Sequence, residues 1–482
     1  MSGDRGLFGS SAMWSVLDNF AQQFLSFIIF MILARILTPE KFGLLAIANL
    51  IVTVVRQTAF EAIAMPVSRD PEPNDNLYSW AFSLCTILAL LLAVGMILLA
   101  GPLSIFYKSP ELRSVLIWMS PVVVFFGLAR AYEARLIRQM QFKPLAIRSI
   151  ISVTIGGVVG IVLALKGVGV MALVIQQVVI AGLAFVMLVV QSSWRPRWCL
   201  DRSLWKKYQS DIAQVGQSGA LGFFTSQADT LLVSIFLGSH ATGLYNFAKR
   251  LTSAIYLIIA SSMLKVAVPA FSDAFGNVHK LQSAYVRVIG LSLFVLLPSL
   301  LGMGVMAEPL ISVFFGAVWM PAAKVVLLLA MLNILLTVNQ LNDYLLFAVG
   351  ENVVPVKRGF YQFALAILLG WFGSRFGLVW MTSAFVVAAL IVLPWAQHHV
   401  CLYIGKGFWG LCKIFRGPML GSLVMVGILL PFAPLVSGSM SLVLGMIFIA
   451  ACTYMLVHYL LLKYSVDSYD AMKDLGQFRR AG

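Results

Sequence analysis

Three cations stand where the sequence is otherwise most apolar: Arg56, Lys249 and Arg250. A charge near the bilayer centre costs at least ~2.5 kcal/mol, so intramembrane ionisable residues point to function. Together these three are candidates for attracting an anionic group into a polar lumen. Stripes of amides and hydroxyls run beside them at helical spacing. Asn19 and Gln22 share a face with Ser15 and Ser26, and Asn49 shares one with Thr53 and Arg56. Tyr245, Lys249, Thr252 and Tyr256 form a third stripe, and Asn333, Thr337, Gln340 and Tyr344 a fourth. Side chains three and four residues apart lie on one helix face, so each stripe can line a polar cavity. Asp18, Asp229 and Asp343 are the deep acids and the candidates for coupling a proton or cation. Asp18 and Asp229 have a structural alternative, pairing with a neighbouring helix. Glu61 and Arg130 lie near span ends, where snorkelling to the interface is the plainer reading.

Other chemistries find no motif. The five cysteines are scattered without a CxxC pair, which argues against a metal site or a disulfide framework. GxxxxGK[ST], GxSxG and HExxH are all missing, so neither a self-contained ATPase nor a hydrolase is expected. No catalytic residue and no cofactor is assigned, and the chain does not read as an enzyme. A membrane-embedded transferase would need a long outer loop, and the apolar stretches leave none.

What positions these residues is a series of membrane spans. Of 482 residues, 60% are hydrophobic and 11% charged, with mean hydropathy +0.93. Soluble domains carry roughly 25% charged residues. Apolar runs of roughly 20 residues recur, each long enough to cross a ~30 Å hydrocarbon core as a helix. They fall near 12–34, 42–64, 78–100, 113–134, 146–165, 168–190 and 212–237. A second set lies near 243–266, 286–307, 322–346, 358–374, 376–397, 417–435 and 441–462. The expected class is an all-α polytopic membrane protein with about 14 transmembrane helices. The first span carries polar residues and lacks a small-residue cleavage site, so it is not read as a signal peptide.

The net charge of +15 would suggest nucleic acid in a soluble protein. Here it follows the positive-inside bias. With the N-terminus in the cytoplasm, 24 of the 34 Lys and Arg fall on the inner side, including Arg135, Arg138, Lys143 and Arg148. A cytoplasmic position is therefore expected for both termini, and no nucleic-acid partner. The stretch from Trp194 to Tyr208, with Trp198 and Trp205, is expected at the inner headgroup interface.

The chain also repeats itself at an offset of 200–211 residues. Ala34-Arg35-Ile36-Leu37-Thr38-Pro39-Glu40-Lys41-Phe42-Gly43-Leu44 is echoed by Phe236-Leu237-Gly238-Ser239-His240-Ala241-Thr242-Gly243-Leu244-Tyr245. Ala100-Gly101-Pro102-Leu103 is echoed by Ala307-Glu308-Pro309-Leu310, and Lys166-Gly167-Val168-Gly169 by Arg375-Phe376-Gly377. Six spans per repeat is an even number, so the two lobes insert in the same orientation, a parallel repeat. The expected domains are an N-terminal six-helix lobe at 1–200 and a C-terminal six-helix lobe at 201–400. Residues 401–482 add a helix pair and a cytoplasmic tail. Parallel repeats in polytopic chains mark transporters more often than scaffolds.

The first of these junctions resembles the signature after helix 1 of the polysaccharide transporters. Gly243-Leu244-Tyr245-Asn246-Phe247-Ala248-Lys249-Arg250-Leu251 is similar to their opening of helix 8. Glu133-Ala134-Arg135-Leu136-Ile137-Arg138-Gln139-Met140-Gln141-Phe142-Lys143 resembles the helix 4–5 loop of the subgroup exporting colanic acid and succinoglycan. Pro269-Ala270-Phe271-Ser272 and Phe314-Phe315-Gly316-Ala317-Val318-Trp319 also fit that subgroup. The resemblance covers about residues 10 to 400 and implies the Wzx-like branch of the multidrug/oligosaccharidyl-lipid/polysaccharide exporter superfamily. It implies a V-shaped two-lobed helical fold in the bacterial inner membrane. The implied activity is flipping of an undecaprenyl-pyrophosphate-linked oligosaccharide repeat unit, for exopolysaccharide or lipopolysaccharide synthesis. On that reading Arg56, Lys249 and Arg250 hold the pyrophosphate. Asn19, Gln22, Asn49, Tyr245, Tyr256, Asn333 and Gln340 face the sugar, and the lipid tail stays in the membrane lipid. A polysaccharide polymerase and a chain-length regulator are the implied partners. Two alternatives stay open: a multidrug/cation antiporter of the same superfamily, and a membrane scaffold of an assembly complex that transports nothing.

Overall fold

The computed structural model describes residues 21–405, 407–433 and 439–463, and among them every regular element is a helix. A short helix α1 (Ala21–Ile36) precedes α2 (Pro39–Val55). A π-helical turn at Arg56–Phe60 leads into α3 (Glu61–Arg69). Then come α4 (Asp75–Phe106), α5 (Pro110–Arg138), α6 (Phe142–Leu165) and α7 (Val170–Gln191). The long α8 (Arg202–Asp273) is broken at Gly238, whose φ of 76° and ψ of −170° are not helical. After it run α9 (Val278–Val305), α10 (Ala307–Phe314), a 3₁₀ turn at Ala317–Ala322 and α11 (Ala323–Ala348). The chain ends with α12 (Val353–Ser374), α13 (Leu378–Ile404), α14 (Phe408–Phe432) and α15 (Met440–Lys463).

Twelve helical stretches among the described residues are long and apolar enough to cross a membrane. One of them, Arg202–Tyr256, runs through the Gly238 break, and Ala21–Ile36 is a shorter apolar helix. The all-helical membrane class is therefore established, whereas the number fourteen is not confirmed. Side-chain exposure agrees with lipid as the solvent. On α4, Leu91 is 64% exposed and Leu98 71%, an apolar face that a soluble protein would have to cover.

The chain divides into two compact units, Met1–Gly243 and Leu244–Gly482. In the first, small residues let helices approach closely, the usual device where no hydrophobic effect drives association. A Cβ on Gly157 of α6 would collide with Ile29 of α1, lying 2.7 Å from its Cγ1. The segment between α7 and α8 is fastened along α4. The backbone N–H of Arg197 donates to Ser79 Oγ at 3.3 Å, and that of Cys199 to Ser83 Oγ at 3.0 Å. Trp194 turns inward and is buried, with the Arg135 guanidinium 5.4 Å from its ring centre. Trp198 and Trp205 stay exposed, as headgroup anchors do.

The second unit is pinned by a closed ring of three buried polar side chains. Tyr285 Oη of α9 donates to Asn342 Oδ1 of α11 at 2.6 Å. Asn342 Nδ2 donates to Gln397 Oε1 of α13 at 3.1 Å, and Gln397 Nε2 donates back to Tyr285 Oη at 2.9 Å. The hydroxyl and both amides are thus engaged across three helices. α14 and α15 pack on α9, where Tyr454 Oη donates to the Phe294 carbonyl at 2.7 Å. With α8, α9 and α10 they line an open apolar cavity of about 490 Å³, whose side chains include Phe294, Met303, Met425 and Tyr454.

Close helix approach makes a testable distinction between glycines. Gly157→Val should destabilise the purified protein by ~1–3 kcal/mol through overpacking. Gly95→Ala on α4, with nothing within 4 Å of its Cβ position, should be neutral or stabilise by up to ~1 kcal/mol. Thermal unfolding in detergent checks both. Equal melting temperatures for the two variants would contradict the packing account.

Candidate functional site

The polar residues singled out from sequence fall into both units. In the first, Arg56 is exposed and opens the π-helical turn, a local widening of the helix that recurs at functional sites. The turn is held from α8. A Cβ on Gly219 would collide with the Gln57 carbonyl oxygen, lying 2.9 Å from the carbonyl carbon. Gln57 Oε1 is buried and has no hydrogen-bond partner among the described residues. Asn49, two helical turns before Arg56, is half-buried, as are Gln22 on α1 and Asp229 on α8. Asp18 and Asn19 lie outside the described residues.

In the second unit Arg250 is exposed and Lys249 half-buried on the C-terminal part of α8. Tyr256 and Gln340 meet. Tyr256 Oη donates to Gln340 Oε1 at 2.8 Å, and Gln340 Nε2 donates to Tyr344 Oη at 2.9 Å, leaving all three half-buried. Asn333 is half-buried one turn from Thr337, whose hydroxyl caps the Asn333 carbonyl at 2.8 Å. Tyr245 is fully buried, its ring edge-on to Phe385 at 6.3 Å, and presents no surface in this structure. Asp343 is tied into a bidentate pair: Arg358 Nε and an NH2 nitrogen reach its two oxygens at 2.9 and 2.6 Å. A third guanidinium nitrogen of Arg358 donates to Gln362 at 2.9 Å.

Several pairings had no sequence signal. Glu61 and Arg130 do not snorkel separately. Arg130 bridges Glu61 of α3 and Glu133 of α5, and Glu133 also binds Arg148 of α6. Arg358 sits at a span end and reads from sequence as one more inner-side cation. Tyr285 and Gln397 are single polar residues in apolar runs. Such residues can be flagged from sequence, but their partners cannot, because the pairing depends on how three helices rotate against each other.

One cluster lies outside the spans. Asp70 follows α3 and is buried. It accepts hydrogen bonds from Tyr208 Oη and, at 2.9 Å, from Lys207 Nζ, both on α8. The Tyr208 hydroxyl, then the Lys207 ammonium, draws the carboxyl down from 3.8 to about 2. Because the folded value is depressed, the stabilisation is present above the unfolded value and lost as pH falls. Asp70 should contribute about 2 kcal/mol above pH ~4, fading as pH approaches ~2. Asp70→Asn should flatten that part of the stability–pH curve measured by unfolding in detergent. An unchanged slope would contradict the assignment.

The half-buried Asp343–Arg358 pair gives a second test. Removing one partner strands a partly desolvated charge, which costs ~2–4 kcal/mol. Asp343→Asn and Arg358→Met should each lose stability on that order, and the double variant should recover much of it. Strict additivity in the double-mutant cycle would exclude the coupling.

The helices and their cross-linked polar side chains define a multi-pass, all-helical membrane protein. The fold matches that of the lipid II flippase MurJ in an inward closed conformation with a TM-score of 0.73. The match covers 94% of this chain and 99% of that one at 14% identity, so the likeness concerns the fold alone. A multidrug resistance MATE family transporter in an inward-facing conformation matches with a TM-score of 0.56 at 15% identity, over 81% of this chain and 99% of its own. The chain belongs to the polysaccharide biosynthesis protein family, whose profile matches residues 32–324. Among relatives, succinoglycan biosynthesis transport protein ExoT of Rhizobium meliloti (strain 1021) is 30% identical over 328 residues. Those residues are 67% of this chain and 66% of that relative, a little under two thirds of its length. Lipopolysaccharide biosynthesis protein WzxC of Escherichia coli (strain K12) is 20% identical over 387 residues, 79% of this chain and 78% of its own.

Proposed function

We propose that this protein is a flippase. It moves an undecaprenyl-pyrophosphate-linked oligosaccharide repeat unit across the bacterial inner membrane, without chemical change, for exopolysaccharide or lipopolysaccharide synthesis. One observation carries the reading: Arg56 and Arg250 are exposed on helices of a chain whose solvent is lipid. An exposed guanidinium there meets either hydrocarbon or water. The first costs several kcal/mol, so each arginine lines a water-accessible path. Guanidinium binds phosphate oxygens through two parallel hydrogen bonds, the geometry a pyrophosphate needs.

The remaining polar candidates supply the rest. Each sugar hydroxyl stripped of water without a partner costs several kcal/mol, and half-buried Gln22, Asn49, Tyr256, Asn333 and Gln340 replace those partners. Lys249 adds charge beside Arg250. The polyprenyl tail remains in the bilayer. Membrane potential provides ~2.3 kcal/mol per charge per 100 mV. Asp343 is committed to Arg358. Asp229 and Asp18 are the further candidates for coupling a proton or cation. The chain crosses the membrane fourteen times, as two six-helix lobes and a helix pair, with both termini cytoplasmic. It passes its product toward a polymerase and a chain-length regulator. A cation antiporter is disfavoured, because Arg56, Lys249 and Arg250 would repel a cationic cargo.

Reconstituted vesicles carrying a fluorescent pyrophosphate-linked oligosaccharide test the proposal. Arg56→Ala and Arg250→Ala should each slow transfer by about tenfold or more, since charge-assisted phosphate contacts are worth ~1.5–3 kcal/mol. Lysine at either position should restore part of the rate. Undiminished transfer in both alanine variants would overturn the pyrophosphate role.

A further inference from the structure

The non-helical segment between α7 and α8 lies on the lipid-facing side of α4. Ser79 and Ser83 accept the backbone N–H groups of Arg197 and Cys199 and are buried beneath them. Ile87 and Leu90 continue the same face of α4, at i+8 and i+11 from Ser79, and both are exposed. The segment is thus a strap that covers the beginning of a face which lipid covers further on. Its depth follows from the length of the helix. The 32 residues of α4 span ~48 Å, so a ~30 Å hydrocarbon core centred on it leaves ~9 Å, about six residues, at each end. Ser79 and Ser83 therefore bracket the edge of the hydrocarbon, and the strap lies along that edge.

What the strap and the start of α8 present there is cationic and aromatic together. Trp198 is 69% exposed and Leu200 65%, Trp205 is exposed as well, and exposed Arg197, Arg202 and Lys206 are interleaved with them. Arg202, Trp205 and Lys206, at i, i+3 and i+4, share one face of α8. The neighbouring charges are engaged within the protein. Arg195 donates to the carbonyls of Val189 and Trp194, both at 3.1 Å, and so closes the end of α7. Lys207 is paired with Asp70. Asp201, the one acid between Trp194 and Tyr208, accepts from the backbone N–H and the hydroxyl of Ser203, both at 2.7 Å. Indole rings favour the headgroup boundary, and long cationic side chains reach headgroups while their stems rest on apolar surroundings.

We propose that this strap is a binding surface for the headgroups of anionic phospholipids. Arg197, Arg202 and Lys206 take the headgroup phosphates, the two arginines as planar forks. Trp198, Leu200 and Trp205 enter the adjoining acyl region. Three cations answered by no acid of their own segment favour a headgroup with net negative charge over a zwitterionic one. The occupant is a bilayer lipid and not a soluble anion, because the cations alternate with exposed apolar side chains at the edge of the hydrocarbon. The surface includes neither Arg56 nor Arg250, so it stands whether or not the protein is a flippase.

The test uses the full chain in phosphatidylcholine nanodiscs doped with a lipid brominated on its acyl chains near the headgroup, which quenches indole fluorescence on contact. At equal mole fraction, brominated phosphatidylglycerol should quench more deeply than brominated phosphatidylcholine, through a local enrichment of about fivefold or more. Arg197→Gln, Arg202→Gln and Lys206→Gln together should abolish the excess. Trp198→Phe with Trp205→Phe should remove the fluorescence that reports it. In the unsubstituted protein the excess should shrink as salt is raised, a readout that requires no variant to fold. Equal quenching by the two lipids would overturn the proposal, as would an excess that survives the glutamine substitutions or raised salt. Undecaprenyl pyrophosphate, added far below the mole fraction of phosphatidylglycerol, should leave the excess in place. Loss of the excess at that level would give the surface to the polyprenyl lipid and overturn the phospholipid assignment.

Discussion

Hydrocarbon cannot solvate a polar group, and the arrangement of this protein follows from that constraint. Every amide, hydroxyl or charge inside a span must be paired within the protein or be reached by water. The first option is used at several places, while Gln57 Oε1 and the Asn339 amide are buried with no hydrogen-bond partner among the described residues. Tyr285, Asn342 and Gln397 close a ring with one hydrogen bond per edge. Glu133 is clamped between two arginines, and Asp343 is gripped by a guanidinium fork. These groups fix the rotation of their helices, because an apolar contact tolerates sliding that a hydrogen-bond ring does not. Periodicity alone does not give exposure: Tyr245 and Tyr256 share one helical stripe in sequence, yet Tyr245 is fully buried and Tyr256 half-buried.

Much of this was legible beforehand, for a physical reason. Crossing a membrane demands long apolar runs, and depletion of charge over ~20 residues is hard to mistake. The family resemblance rested on junction residues, and the profile match over residues 32–324 agrees with it. Partner choice was not legible. The deep acid Asp343 was visible in the sequence, yet its role as one half of a bidentate pair depends on Arg358, fifteen residues away on another helix. Glu61 and Arg130 looked like independent span-end charges and are joined across two helices. Sequence periodicity reports which side chains share a face, but not which face meets which.

The repeat and the contacts also divide the chain differently. The internal echo groups residues by likeness, starting the second lobe near 201. Packing groups them by proximity and keeps α8 with the first unit as far as Gly243. The two divisions rest on different things, likeness of sequence and proximity in the fold. The cause of the difference is local. Gly219 lets α8 lie against the backbone at Gln57, Gly243 lets it lie against Pro39, and Asp70 anchors its beginning. Remove the glycines and the same sequence periodicity would hold while the proximity would not.

The contacts along that stretch of α8 use opposite chemistries, and the contrast has mechanical consequences. At Asp70 the hold is directional and charged: one carboxylate takes a hydroxyl and an ammonium, and parting them strands a buried anion. At Gly43 and Gly243 the approach is backbone on backbone, and a Cβ at either position would collide with a carbonyl oxygen of the other segment. The first hold depends on what its side chains carry and the second on what its residues lack. Substitution therefore acts on them in opposite ways: shortening Asp70 removes its contact, whereas enlarging either glycine forces the two segments apart.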